Sequence, residues 1–102
     1  MSIKKQYLKT RPVCKVTFHL TRDEVGETAS VHLVGDFNDW STSASPLKRR
    51  KDGSFNITLD FAIGKDYQFR YLVDGLTWLN DPQADGYVPS GFQGSDNSVV
   101  SV

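Results

Sequence analysis

Two tryptophans stand where the apolar pattern of the chain does not ask for them. Trp40 follows Gly35-Asp36-Phe37-Asn38-Asp39 and precedes the polar stretch Ser41 to Ser45. Trp78 lies just past Asp74-Gly75, inside Leu76-Thr77-Trp78-Leu79-Asn80. An indole on a polar loop forgoes the burial of a large apolar surface, so it either caps an open end of the core or meets a partner outside it. Position alone weighs the two roles equally. Arg70 and Gln68 point away from the apolar face of their strand-like run, and Asn97 opens the last such run. Singly, each suits a solvated surface; together they matter only if folding brings them to the tryptophans.

Other residue types exclude whole classes of chemistry. His19 and His32 alternate with apolar neighbours and have no Cys, Asp or Glu at ligand spacing, so neither a metal site nor a cofactor is expected. No nucleophile motif and no glycine-rich phosphate loop is present. Asp81 and Asp85 lie beside Pro82 in a loop, where turn formation accounts for them, and no positioned carboxylate pair for glycoside chemistry is evident. The chain is therefore expected not to be an enzyme. The single cysteine, Cys14, falls inside a strand-like run and reads as a reduced, buried thiol. Lys48-Arg49-Arg50-Lys51 leads into Asp52-Gly53 and reads as a solvated hairpin end rather than a phosphate or nucleic-acid patch. Twelve Lys and Arg balance twelve Asp and Glu, which argues against a nucleic-acid binder. No apolar run reaches membrane-spanning length, and Met1 to Pro12 lacks the apolar centre of a signal peptide. No membrane association is expected, and cytoplasmic residence follows by default.

The elements that must position these residues show a period of two. Cys14, Val16, Phe18 and Leu20 share one face; so do Phe55, Ile57, Leu59 and Phe61, and so do Tyr67, Phe69, Tyr71 and Val73. Val31 and Leu33 oppose His32 and Val34, and Asn97 to Val102 is rich in β-branched residues. Asp52-Gly53 and Asp74-Gly75 supply the positive φ of tight hairpins, while Pro46, Gly64, Pro82, Gly86, Pro89, Gly91 and Gly94 mark longer loops. With 102 residues, 38% of them apolar, there is room for one domain and one core. The expectation is an all-β chain: a weakly ordered tail over 1–12 and an antiparallel β-sandwich over 13–102. Beginning with Met and ending directly after the last strand-like run, the chain has the outline of a complete small protein or of an excised domain.

Val31-His-Leu-Val-Gly-Asp-Phe-Asn-Asp-Trp40 joins Asp52-Gly-Ser-Phe55, Tyr67-Gln-Phe-Arg-Tyr-Leu-Val-Asp-Gly75, Trp78, Asn80-Asp-Pro82 and Asn97-Ser-Val-Val100 in one ordered series. The series resembles the glycogen-binding modules: carbohydrate-binding module family 48, or isoamylase N-terminal (early-set) domains. That family also includes the glycogen-binding domain of AMP-activated protein kinase β subunits. The resemblance covers roughly residues 13–102 and implies an immunoglobulin-like sandwich with a surface site for α-1,4-glucan (glycogen, starch or maltooligosaccharide). It implies stacking of glucose rings on Trp40 and Trp78, and hydrogen bonds to sugar hydroxyls from Arg70, where the kinase subunits carry lysine, and from Asn97. Gln68 neighbours Arg70 on the outer face. In the loop before Asn97 an ungapped match places Gln93 and Ser95, with Phe92 standing in for the family's leucine. One departure bears on geometry. Leu76 and Thr77 both separate Gly75 from Trp78, where the kinase subunits have a single residue. A one-residue change on a hairpin can turn a side chain to the other face. The other function class open to such a sandwich is a non-binding module that docks a protein partner or a glucan-active enzyme.

Overall fold

Where alternation gives a strand one wholly apolar face, that face turns to the core, wholly buried from Cys14 to Leu20 and partly so at Ile57, Leu59 and Tyr67. Residues 1–91 and 95–102 are described by a computed structural model. One sheet carries, in spatial order, β1 (Ser2–Tyr7), β2 (Val13–Leu20), β5 (Phe55–Ala62) and β4 (Lys48–Arg49). The other carries β3 (Val31–Gly35), β6 (Asp66–Val73), β9 (Asp96–Ser101) and β8 (Gly86–Pro89), with β7 (Thr77–Leu79) also paired to β6. Every strand pairing is antiparallel. The two sheets close on one core, giving the expected β-sandwich. Cys14, Val16, Phe18 and Leu20 are wholly buried at every second position of β2. The Phe18 ring meets Phe69 edge-on at 5.1 Å and Tyr71 at 6.5 Å, joining the sheets through their aromatic centres.

Several elements differ from expectation. The stretch expected to be a weakly ordered tail contains β1, which pairs along all its length with β2, from Ser2 opposite His19 to Tyr7 opposite Cys14. Its alternation is masked by Lys4 and Lys5, the residues that guard an exposed sheet edge. Gly86 and Pro89, read as loop markers, bound the edge strand β8, where a missing N–H and a flexible backbone are tolerated. Thr21 caps a single helical turn, α1 (Arg22–Val25), with Glu24 closing the reciprocal capping box. Among the described residues no helix is long and apolar enough to cross a membrane.

Candidate functional site

The site is laid out by β6, whose residues serve the two faces of its sheet in turn. Phe69 and Tyr71 are wholly buried in the core, so Gln68, Arg70 and Leu72 face outward. On one side β6 pairs with β3 from Phe69 to Val73. On the other its partner changes: β9 pairs with Asp66 to Phe69, and β7 with Tyr71 to Val73. Arg70 stands at that seam. Ser98 pairs with Phe69, which brings the preceding residue, Asn97, across from Arg70. Arg70 Nε donates to Asn97 Oδ1 at 2.8 Å, and Asn97 Nδ2 donates to Gln68 Oε1 at 3.1 Å. These bonds hold all three polar side chains in one row. Val34, Leu72 and Val99 are buried at neighbouring outward positions, apart from the inter-sheet core, and give the row an apolar floor.

Trp40 is delivered by a loop pinned at both ends. Gly35 is required by close approach: a Cβ there would lie 2.5 Å from both the Gln68 carbonyl oxygen and the Phe37 ring. Phe37 turns inward against Phe61 at 5.0 Å, while Asp36 Oδ2 accepts the Gln68 N–H at 3.2 Å. Asn38 accepts the Gly35 N–H at 3.1 Å and donates to Leu33 O at 2.9 Å and Ser45 Oγ at 3.1 Å. Asp39 and Trp40 then adopt left-handed conformations, each with φ of 57°. Such a conformation costs a non-glycine residue roughly 1–2 kcal/mol, and the hydrogen bonds of Asn38 help to hold it. The indole is left 39% exposed.

Trp78 arrives by a different route. Asp74 and Gly75 both take positive φ, 51° and 69°, as a tight hairpin turn requires, and Asp74 Oδ1 accepts the N–H groups of Ala29 and Ser30. Leu76 completes the three-residue turn between the paired Val73 and Thr77, its N–H donating to Val73 O at 3.0 Å, and is 84% exposed. Trp78 thus stands opposite Leu72, on the face that carries Arg70, and remains 46% exposed. A polar clasp that the sequence did not reveal fastens β7 to β9. Ser98 Oγ donates to Asn80 Oδ1 at 2.8 Å and accepts the Asp81 N–H at 3.0 Å, while Asn80 Nδ2 donates to Asp96 O at 2.9 Å. Asp81, read as a turn residue, is wholly buried, and its Oδ2 accepts the Tyr71 hydroxyl at 2.7 Å. Burial, and then the nearby Asp81 charge, raise the Tyr71 phenol well above its ordinary value, so it stays a donor. The signal was available in Tyr71 itself: a tyrosine at a core position needs a partner for its hydroxyl.

Trp40, Trp78, Arg70, Gln68, Asn97 and Ser95 are brought together with Ser90 around a cavity of about 670 Å³. Ser90, which sequence reasoning missed, shares a 2.6 Å hydroxyl contact with Ser95. Phe92 and Gln93 lie outside the described residues. The described lining offers aromatic planes, amides, hydroxyls and one guanidinium, with no carboxylate, imidazole or thiol. Among the described residues Arg70 has no ion-pair partner, and its enclosed Nη2 has no hydrogen-bond partner. Such a surface can stack on an apolar ring face and exchange hydrogen bonds with a hydroxyl rim.

Residues 16–102 match the family described as the glycogen recognition site of AMP-activated protein kinase. The chain belongs to that family. It is 33% identical over 72 residues to the AMP-activated protein kinase subunit beta-2 of Mus musculus, Rattus norvegicus and Homo sapiens. The alignments cover 71% of this chain and 24% of each relative, so the chain spans about a quarter of those proteins. Within this glycogen-recognition module, the strand pairing of β6 and the two loops described above bring the aromatic and polar side chains to one surface.

Proposed function

We propose that this module binds an α-1,4-glucan chain, as found in glycogen, starch and maltooligosaccharides, across the outer face of the β6 sheet. Trp40 and Trp78 stack on glucose rings; Arg70, Asn97, Gln68 and Ser95 engage hydroxyls. The observation that carries this function is the joint exposure of two indoles beside a guanidinium that has only one hydrogen bond to the protein among the described residues. An apolar ring face edged with hydroxyls uses both features. Each platform contributes about 1–3 kcal/mol by analogy with base stacking. Two platforms with the hydrogen bonds of the polar row reach the roughly 4–8 kcal/mol of millimolar to micromolar dissociation constants. Polymeric glucan offers many sites, so weak contacts can still anchor whatever protein or enzyme the module serves. The reading is of a non-catalytic module: the described lining holds aromatic, amide, hydroxyl and guanidinium groups rather than the carboxylate pair that glycoside cleavage uses. A cytoplasmic setting suits its buried, unpaired Cys14.

Titration with maltoheptaose, following tryptophan fluorescence and amide shifts, tests the proposal. Saturable perturbation of Trp40, Trp78 and the Arg70 region is expected, with little dependence on salt because the ligand is neutral. Unperturbed tryptophans at millimolar sugar would refute it and leave protein docking as the function.

A further inference from the structure

A second polar surface lies at the β4 edge of the first sheet, away from the tryptophans. Lys48, Arg49, Arg50 and Lys51 occupy β4 and the turn after it, and Arg22 joins them from the start of α1. Arg22 is seated against the hairpin: a Cβ on Gly53 would come within 2.8 Å of its Cδ. Arg22 and Arg49 line one cavity of about 370 Å³ together with Thr28. Arg49 also borders a neighbouring one of about 540 Å³ with Lys48, Arg50 and Lys51.

The acidic residues in these linings, Glu27 and Asp52, offset this charge only in part. Glu27 lies 3.5 Å from Arg22, but its side chain is 91% exposed, where an ion pair contributes little. Asp52, whose Oδ1 accepts Ser54 Oγ at 2.6 Å and Ser54 N at 2.9 Å, keeps its negative charge beside Arg50, yet two carboxylates against five cations leave the edge positive. The four consecutive cations have no ion pair among the described residues. Edge protection accounts for Lys4 and Lys5 on the six-residue β1, but β4 has only two residues of edge to guard. In a chain of zero net charge, five cations on one edge are a local concentration. They lie close enough along the chain and across the hairpin to act on one ligand within a Debye length.

We propose that this edge is a binding site for an oligophosphate, with Arg22 and Arg49 gripping one phosphate group and Lys48, Arg50 and Lys51 taking the next. Guanidinium forks match phosphate oxygens in pairs, and two arginines from separate elements facing one half-enclosed space make such a grip. The smaller cavity is of small-molecule size, which suits a compact anion better than a polypeptide strand. The number of cations calls for more than one phosphate group. The site lies on the opposite sheet from the tryptophans and stands independently of glucan binding.

The test is an amide-shift titration of the whole chain with tripolyphosphate at low salt, beside orthophosphate and a hexaglutamate peptide. Saturable shifts are expected at Arg22, Arg49 and Gly53, with both tryptophan indoles unmoved. Orthophosphate and hexaglutamate should bind at least about ten-fold more weakly, and added salt should weaken tripolyphosphate. Arg49→Gln should lower its affinity about ten-fold, the effect of one lost charged hydrogen-bond pair, while the distant Lys65→Gln leaves it unchanged. Arg49 is exposed, so the variant's amide spectrum should confirm an intact fold. Absence of saturable shifts at Arg22 and Arg49 would overturn the proposal. So would equal binding by orthophosphate or hexaglutamate, or equal weakening by Lys65→Gln.

Discussion

Replacing Trp40 with alanine tests what one platform would contribute to the proposed glucan binding. A tryptophan side chain presents up to about 250 Å² of surface, so the 39% left exposed corresponds to about 100 Å². At about 25 cal/mol per Å², covering all of it would stabilise a complex by about 2.5 kcal/mol, and covering one ring face by about half that. Trp40→Ala should therefore weaken maltoheptaose binding between about 8-fold and 70-fold. Alanine keeps the Cβ and meets the same left-handed backbone, and the Asn38 hydrogen bonds do not involve the ring, so the loop should persist. Isothermal titration calorimetry reads the affinity, and an amide-shift map restricted to residues around the substitution verifies the fold. Tyr7→Ala supplies the control: Tyr7 is 55% exposed but stands on β1, in the other sheet. If Trp40→Ala binds within two-fold of the native chain, or Tyr7→Ala weakens binding as much, stacking at this surface is refuted.

Two further expectations concern the scaffold. Phe69 is wholly buried between Phe18 and Tyr71, and Phe69→Ala should cost about 3–5 kcal/mol, a large part of a small domain's stability; a urea midpoint close to native would contradict its central place. Asp85 ties β1 to the second sheet by accepting Lys5 Nζ and the Ser101 N–H, each at 2.7 Å. Desolvation pushes its carboxyl up, but the Lys5 and Ser101 hydrogen bonds and the Lys5 charge outweigh it and hold the group below the usual range. A depressed carboxylate contributes stability that is complete above its unfolded pKa of about 3.9 and is lost as pH falls through the folded value. The melting temperature of the native chain should thus fall more steeply below about pH 4 than that of Asp85→Asn. Parallel curves would count against the clasp.

The strands legible in the sequence are those whose alternation leaves one wholly apolar face, as in Cys14-Val16-Phe18-Leu20 of β2. β1 escaped because Lys5 breaks the face begun by Ile3, and its hydrogen bonds come from pairing with β2 rather than from any pattern of its own. β7 and β8, three and four residues long, are too short for a period to show. At the site, the residue types and the outward direction of Gln68 and Arg70 could be read from alternation. Their meeting with Asn97 and Trp78 could not, because it depends on β6 changing partners at Arg70. Asp81 does serve the turn, its Oδ1 accepting the Gln83 N–H at 2.8 Å, but its burial was not legible because it depends on the Tyr71 hydroxyl meeting its other oxygen.

That change of partner makes Arg70 a joint between two pieces of sheet with different holds on the molecule. β7 is secured by three residue pairs with β6 and by the Asn80–Ser98–Asp81 clasp, so it can open as a small unit while β3, β6 and β9 stay closed. Whenever it opens, Trp78 leaves and the surface loses one wall. A glucan lying from Trp40 across Arg70 to Trp78 would act as a splint over the joint, and by linkage the hairpin must then open less often by the same factor that its opening weakens the sugar's hold. Slowed amide exchange confined to Thr77–Leu79 would be the trace left by an occupied site.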